Sequence, residues 1–150
     1  MLCRKATPKD ADVIAKFQLA MALETEDLSL NQNTLKKGVS AVFEDSTKGC
    51  YYVVENGAAV IASLLITNEW SDWRNGTIWW IQSVYVVPEM RGLKVFRKLY
   101  DFIRSLAEKD ISVKGLRLYV EVENQRAQAV YSKIGMDGDH YRLYEWMKPT

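Results

Sequence analysis

Histidine is nearly missing from this chain and cysteine is scarce: His140 stands alone, and Cys3 and Cys50 are the two thiols. Residues so few and so far apart fit no metal-ligand spacing, so no metal is expected. Nor do two cysteines make a disulfide framework, and free thiols in a reducing cytosol are the expectation. Charge of one sign is also lacking. Twenty basic residues face 19 acidic ones, a net charge of +1, which gives no field for nucleic acid and no charged tail. Long apolar runs are absent as well. Residues 58–66, broken by Ser63, are far too short to span a bilayer, and MLCRKATPKDAD lacks the apolar core of a signal peptide. No G-x-x-x-x-G-K-[ST] run occurs, which sets aside a P-loop NTPase. The remaining expectation is a cytoplasmic protein, with no membrane and no nucleic acid among its partners.

What is present is a core. With 48% hydrophobic residues in 150, the chain reads as one globular domain over residues 1–150. Residues 2–6 suit a short strand. Thr7 and Pro8 then start a helix as cap and first residue, and Ile14, Phe17 and Met21 carry its apolar face to about Leu23. Glu24, Thr25, Glu26 and Asp27 close that helix with the wrong sign of charge for a C-terminus. They are either a solvated end or an acidic lip for a cationic substrate. Asn31 caps a second helix through Leu35, Val39, Val42 and Phe43. Residues 50–55 and 58–67 around Asn56-Gly57 read as a hairpin with a type I′ turn. The turn WSDWRNG (residues 70–76) follows; its Trp70 and Trp73 either pack the loop down or wall a substrate site.

The stretch that organises the chain is VYVVPEMRGLKVFRKL, residues 84–99. A strand from Thr77 to Val87 is stopped by Pro88. A short basic turn with Arg91 and Gly92 follows, and then an amphipathic helix with Phe96, Leu99, Ile103 and Leu106 on one face. A strand that feeds straight into a helix N-terminus leaves backbone N–H groups unpaired beside a positive dipole end. Such a turn suits a phosphate or another anion, and Gly92 admits a ligand close to the backbone. After this helix, residues 115–123 alternate strictly, with Leu116, Leu118, Val120 and Val122 on one face. Asn124 caps a short helix carrying Ala127, Val130, Tyr131 and Ile134, Gly135 ends it, and residues 141–147 read as a last strand. The order β-α-α-β-β-β-α-β-α-β makes a mixed-sheet α/β (α+β) fold.

Two motifs in this order resemble the GNAT superfamily of acyl-CoA N-acyltransferases, over essentially the whole chain. Val84, Tyr85, Val86, Val87 and Pro88 match that family's V-x-V-x-P strand, and Glu89, Met90, Arg91, Gly92, Leu93 and Lys94 occupy its Q/R-x-x-G-x-G/A signature. Residues 122–136 match its strand–Asn–helix–Tyr segment. The departures are Glu89 in place of Gln or Arg, Lys94 in place of a small residue, and Phe96 where many members carry Gly. Lys94 either lends charge to a pyrophosphate or crowds it, and retained binding is favoured because a lysine stem can point away.

The resemblance implies an acetyl-CoA-dependent N-acetyltransferase acting by direct attack of an amine on the thioester. It assigns cofactor binding to Val84, Tyr85, Val86, Arg91, Gly92, Leu93, Lys94, Val95, Phe96, Arg97, Asn124 and Tyr131. Val86 N–H would stabilise the thioester oxygen, and the Tyr131 phenol would donate a proton to the leaving thiolate; on periodicity alone, core packing would account for Tyr131. A protonated amine must also lose a proton, and Glu24, Glu26 and Glu69 are candidate bases that spacing does not separate. Gln82 and Ser83 either line a pocket or mark where the sheet splays. His140, in a late loop, suits an exposed structural role. The implied partners are acetyl-CoA and an amine acceptor, which the acidic lip would make cationic, and a homodimer is compatible with the family. The rival reading is a non-catalytic acyl-CoA-binding or regulatory module of the same fold, favoured by Lys94 and the unassigned base.

Overall fold

The computed structural model describes residues 1–150. The elements run β1 (Leu2–Lys5), α1 (Ala11–Glu26), α2 (Gln32–Glu44), β2 (Cys50–Asn56), β3 (Ala59–Ser71), β4 (Gly76–Val86), α3 (Val95–Lys109), β5 (Val113–Arg117) and α4 (Gln125–Lys133). Single 3-10 turns at Pro8–Asp10 and Pro88–Met90 precede α1 and α3. This is a mixed α/β fold with one five-stranded sheet and four helices. The chain divides into two compact units, Met1–Arg117 and Leu118–Thr150.

The first unit holds the sheet, in the order β1-β2-β3-β4-β5. Neighbours are antiparallel except β4 and β5, which are parallel. A parallel pair needs a crossover connection, and α3 supplies it. Val53, Val54, Leu64 and Ile81 from the strands are fully or almost fully buried, with Ile14 of α1 and Leu99 and Ile103 of α3. Burial of a Leu or Ile side chain contributes roughly 1.5–3 kcal/mol, which is why these helices form where their apolar faces meet the sheet. At Gly76 a Cβ would come within 2.6 Å of the Lys114 side chain, and Thr77 N–H donates to Ser112 O nearby at 2.8 Å. Only glycine lets the turn before β5 approach β4 so closely.

The hairpin expected at Asn56-Gly57 is present, but its turn is not type I′. Asn56 pairs with Ala59, so the loop residues are Gly57 and Ala58, and of these only Gly57 has positive φ. Type I′ needs positive φ at both loop positions, and an alanine resists it. β3 also runs four residues further than expected, to Ser71, which takes Trp70 out of the turn and onto the end of a strand. Trp73 remains in the turn and is 90% exposed. Neither packing nor a wall is thus required of it by its protein neighbours.

In β4 the register with β3 slips. Ser63 faces Tyr85 while Leu65 faces Gln82, so Ser83 and Val84 together oppose Leu64. Ser83 takes φ +54°, a left-handed conformation that accommodates the extra residue of a β-bulge. Of the two roles open to Ser83 in the sequence, the break in the sheet is the one the backbone displays. β5 pairs with β4 only between Thr77 and Trp80 and ends at Arg117. The rest of β4, through the bulge to Val86, therefore has no ladder partner on that edge in this unit.

The second unit contains α4, capped as the sequence predicts. Asn124 Oδ1 accepts from Ala127 N–H at 3.1 Å, and Gly135 ends the helix at φ +90°. Two expectations are corrected here. The strand expected over 115–123 stops at Arg117, and residues 141–147 form no strand. Both segments have the alternation or the aromatic content of strands, but a strand exists only through ladder bonds to a neighbour. Neither Leu118–Glu123 nor Tyr141–Met147 is a strand in this structure.

Candidate active site

The strand-to-helix turn of the first unit has the geometry its sequence foretold. β4 ends at Val86, Val87 N–H donates to Ile61 O at 3.0 Å, and one 3-10 turn leads to Arg91. Gly92 follows at φ +79° and Lys94 at φ +61°, just before α3. The first helical bond runs from Lys98 N–H to Lys94 O, so the three residues between them precede the intrahelical ladder at the positive end of the helix. Left-handed residues interleaved with ordinary ones turn successive N–H groups toward one concavity, an arrangement suited to anions. A Cβ placed on Gly92 would meet no protein atom within 4 Å, so the space beside it is open. Val95 and Leu99 fasten the helix to the core, while Leu93, Lys94 and Arg97 are exposed.

Lys94 is the unusual member. It sits in a conformation that a side chain resists by roughly 1–2 kcal/mol, at the position where the resemblance expects a small residue. Its backbone has therefore adopted the glycine-like turn despite the side chain. Arg97, by contrast, is tied along its own helix: its Nε donates to both carboxylate oxygens of Asp101, at 3.0 and 2.9 Å.

Arg91 is drawn toward α1. Its Nε donates to Val86 O at 2.9 Å and one Nη donates to Glu24 Oε2 at 2.7 Å. The guanidinium also lies 5.4 Å from the centre of the Tyr85 ring, a cation–π distance. Tyr85 is buried, packs on Phe17 at 5.0 Å between ring centres, and donates its hydroxyl to Glu24 Oε1 at 3.2 Å. Burial and the adjacent Glu24 carboxylate push the Tyr85 phenol above its ordinary range, so it stays a donor at neutral pH. Both oxygens of Glu24 are thus engaged. Gln18 of α1, itself buried, donates to Ser83 O at 3.3 Å and fastens α1 to the bulge.

Four residues singled out in the sequence, Glu24, Tyr85, Val86 and Arg91, therefore meet in one cluster. Glu26 ends α1 two residues on, exposed. Glu69 lies elsewhere: it faces Ile78, which at about 3.3 Å per residue is roughly 25 Å along β4 from Val86. There it accepts from Trp80 Nε1 at 3.3 Å and from Arg117 at 2.7 Å. Gln82 donates to Thr67 Oγ1 at 2.6 Å on the same sheet. Asn124 and Tyr131 belong to the second unit, where partial burial raises the Tyr131 phenol above its ordinary range. His140 is exposed, edge-on to the Tyr141 ring at 4.6 Å. No three His, Cys, Asp or Glu side chains gather as metal ligands, and no helix is long and apolar enough to cross a membrane. Sequence reasoning missed Gln18 and the pairing of Glu24 with Arg91. Neither has a local signal, because the partners are far apart in the chain.

A bulged strand that parts from β5 and then feeds a left-handed turn and a helix N-terminus is an arrangement suited to an extended, anionic ligand. The model of the acetyltransferase (GNAT) family matches residues 18–136, and the chain belongs to that family. It is similar to a possible acetyltransferase from Clostridium difficile 630, with 42% identity, a TM-score of 0.92, and 99% and 98% of the two chains covered. A protein described as a predicted acetyltransferase with acetyl-CoA, from Clostridium acetobutylicum, shares the fold at 19% identity, a TM-score of 0.74 and 96% and 95% coverage. A ribosomal-protein-alanine N-acetyltransferase from Brucella melitensis biovar Abortus 2308 does so at 13% identity, a TM-score of 0.79 and 98% and 99% coverage. No curated protein matches the sequence. Family and fold together support acyl transfer as the general activity.

Proposed function

We propose that this protein is an N-acetyltransferase that moves an acetyl group from acetyl-CoA to an amine, with both substrates bound together. The observation that carries the reading is the turn from Val86 to Arg97: the N-terminus of α3, an open Gly92 and a stretch of strand edge that β5 does not pair. Acetyl-CoA supplies the acetyl group as a thioester. The N–H groups of Val95, Phe96 and Arg97, with Arg91 and Lys94, fit its pyrophosphate. The edge of β4 from Val84 to Val86 fits an extended amide-bearing chain, since its backbone groups can pair with a ligand as with a strand. Val86 N–H is assigned to the thioester oxygen, Tyr131 to protonation of the departing sulfur, and Glu24 and Glu26 to the acceptor side. A cationic amine is the acceptor these carboxylates favour.

The test has two stages. Isothermal titration with acetyl-CoA should show binding, weakened by Arg91→Glu in a protein that remains folded. Thiol release across an amine panel should then favour cationic acceptors, with added salt eroding the preference. Binding without thiol release for any amine would select the non-catalytic acyl-CoA-binding module instead. The engagement of both Glu24 oxygens is the observation that favours that second reading.

A further inference from the structure

Among the charged clusters of the first unit, most have a structural explanation. Arg4, Asp10, Thr7 and Glu55 tie β1, the first turn and β2 together. Arg104 and Glu108 pair along α3, as Arg97 and Asp101 do. The contact between Arg91 and Glu24 is different, because it joins the anion-binding turn to the end of α1 across a long stretch of sequence. It also neutralises a cation exactly where the turn collects donors.

We propose that Glu24 is a built-in competitor for the phosphate-binding arginine: it holds Arg91 in the absence of ligand and must give it up when the donor's pyrophosphate arrives. The inference rests on the reading of the turn as an acyl-CoA site. Arg91 reaches back to Val86 O at 2.9 Å and to Glu24 at 2.7 Å, and the Tyr85 ring covers one face of its guanidinium. Its charge-assisted bond to a carboxylate is of the kind it would make to a phosphate, so one replaces the other. Glu24 in turn accepts from the hydroxyl of Tyr85 at 3.2 Å, and Tyr85 is itself a buried residue packed on α1. The competitor is therefore anchored from below, at high local concentration, rather than free to swing away. Release of Arg91 leaves Glu24 with one oxygen vacated beside the strand end, where a cation can take the arginine's place. Arg91 is thus a shared switch: the anion of one substrate uncovers the carboxylate offered to the other.

The experiment is a double-mutant cycle on binding of CoA, which carries the pyrophosphate and cannot react. Dissociation constants are measured for the wild type, Glu24→Gln, Arg91→Gln and the double variant, with melting curves to confirm folding. Glu24→Gln should tighten CoA about two- to fivefold, or about 0.4–1 kcal/mol, within what an exposed ion pair contributes. In the Arg91→Gln background the same substitution should change nothing, because the competition acts only through Arg91. Weaker or unchanged binding in Glu24→Gln would overturn the proposal, the former by showing that Glu24 positions Arg91 for phosphate. A gain that persists without Arg91 would also overturn it, as a general charge effect. Failure of every variant, wild type included, to bind CoA would instead sink the acyl-CoA reading and the competition with it.

Discussion

The helix after the Gly92 turn and the helix of the second unit are held in opposite ways. α3 buries Val95, Leu99, Tyr100 and Ile103 along one side, whereas no residue of α4 between Gln125 and Lys133 is buried. α4 is instead defined at its ends: the Asn124 cap, the left-handed Gly135, and Met136 N–H donating to Tyr131 O at 3.1 Å. Beyond it, Ile134 is the one buried hydrophobic residue of Leu118–Thr150, while Val122, Tyr144 and Trp146 are each at least 80% exposed. A helix specified by its face depends on residues far away in sequence; a helix specified by its caps depends on three or four residues. The first is a matter of packing energy and the second of local hydrogen bonding.

The contrast is broken most forcefully by Leu99→Ala. The side chain is fully buried, and its truncation should cost about 2–5 kcal/mol. Val122→Ala, at an exposed position of the second unit, should stay within about 0.5 kcal/mol. Paired urea titrations check both, and comparable losses would show the two units to be equally packed.

Next in size is Tyr131→Phe, which removes the hydroxyl and little packing area. Turnover with the best acceptor should fall about a hundredfold or more, the usual cost of losing a positioned general acid, with melting temperature nearly unchanged. Normal turnover would return Tyr131 to a packing role. A large fall in melting temperature would point to a structural partner for the hydroxyl.

Acid should find the first unit through Asp10. The side chains of Arg4, at 2.8 and 3.0 Å, and the Thr7 backbone hold its carboxyl below the ordinary aspartate range. A depressed folded-state value means that the stabilisation is complete above the unfolded value, near 3.9, and is lost as pH falls through the folded one. The gap in melting temperature between wild type and Asp10→Asn should hold from pH 7 to about 4.5 and narrow below about 4. A gap independent of pH would mean that the lost stability is not electrostatic.

The smallest effects concern two left-handed residues, one beside each helix. Lys94 strains the start of α3 and Gly135 eases the end of α4. Lys94→Gly should raise stability by about 0.5–1 kcal/mol and Gly135→Ala should lower it by a similar amount. Titration of Lys94→Gly with acetyl-CoA adds a second reading: tighter binding means that the lysine crowds the phosphate, weaker binding that it lends charge.

The same contrast explains what could be read in advance. The Asn124 and Gly135 ends of α4, the Asn31 cap of α2 and the Pro88 stop of β4 all rest on local rules, and each stands in the structure. The strand-to-helix turn was legible because Pro88, Gly92 and the amphipathic run after them sit together in sequence. Extent was not legible where it depended on pairing, so β3 ran long and β5 ended early, and Tyr141–Met147 kept strand-like residues without becoming a strand. In the site, Arg91, Glu24 and Tyr85 were each singled out for separate reasons. That they form one cluster is a fact of the folded sheet, with no trace in spacing or periodicity.

The extra residue at Ser83 sets the parity of everything after it in β4. Were the same residues paired regularly, Leu65 opposite Gln82 would put Val84, not Tyr85, opposite Ser63, and the phenol would emerge on the reverse side of the sheet from α1. The hydroxyl that now meets Glu24 exists on that side by virtue of a count of one. A chain shortened by a single residue between Gln82 and Tyr85 would lose the bulge yet keep Tyr85 opposite Ser63. One shortened by two would set Tyr85 opposite Leu64, on the other face of the sheet and away from Glu24. Chain length here is an instruction in its own right, written in odd and even numbers rather than in residue types.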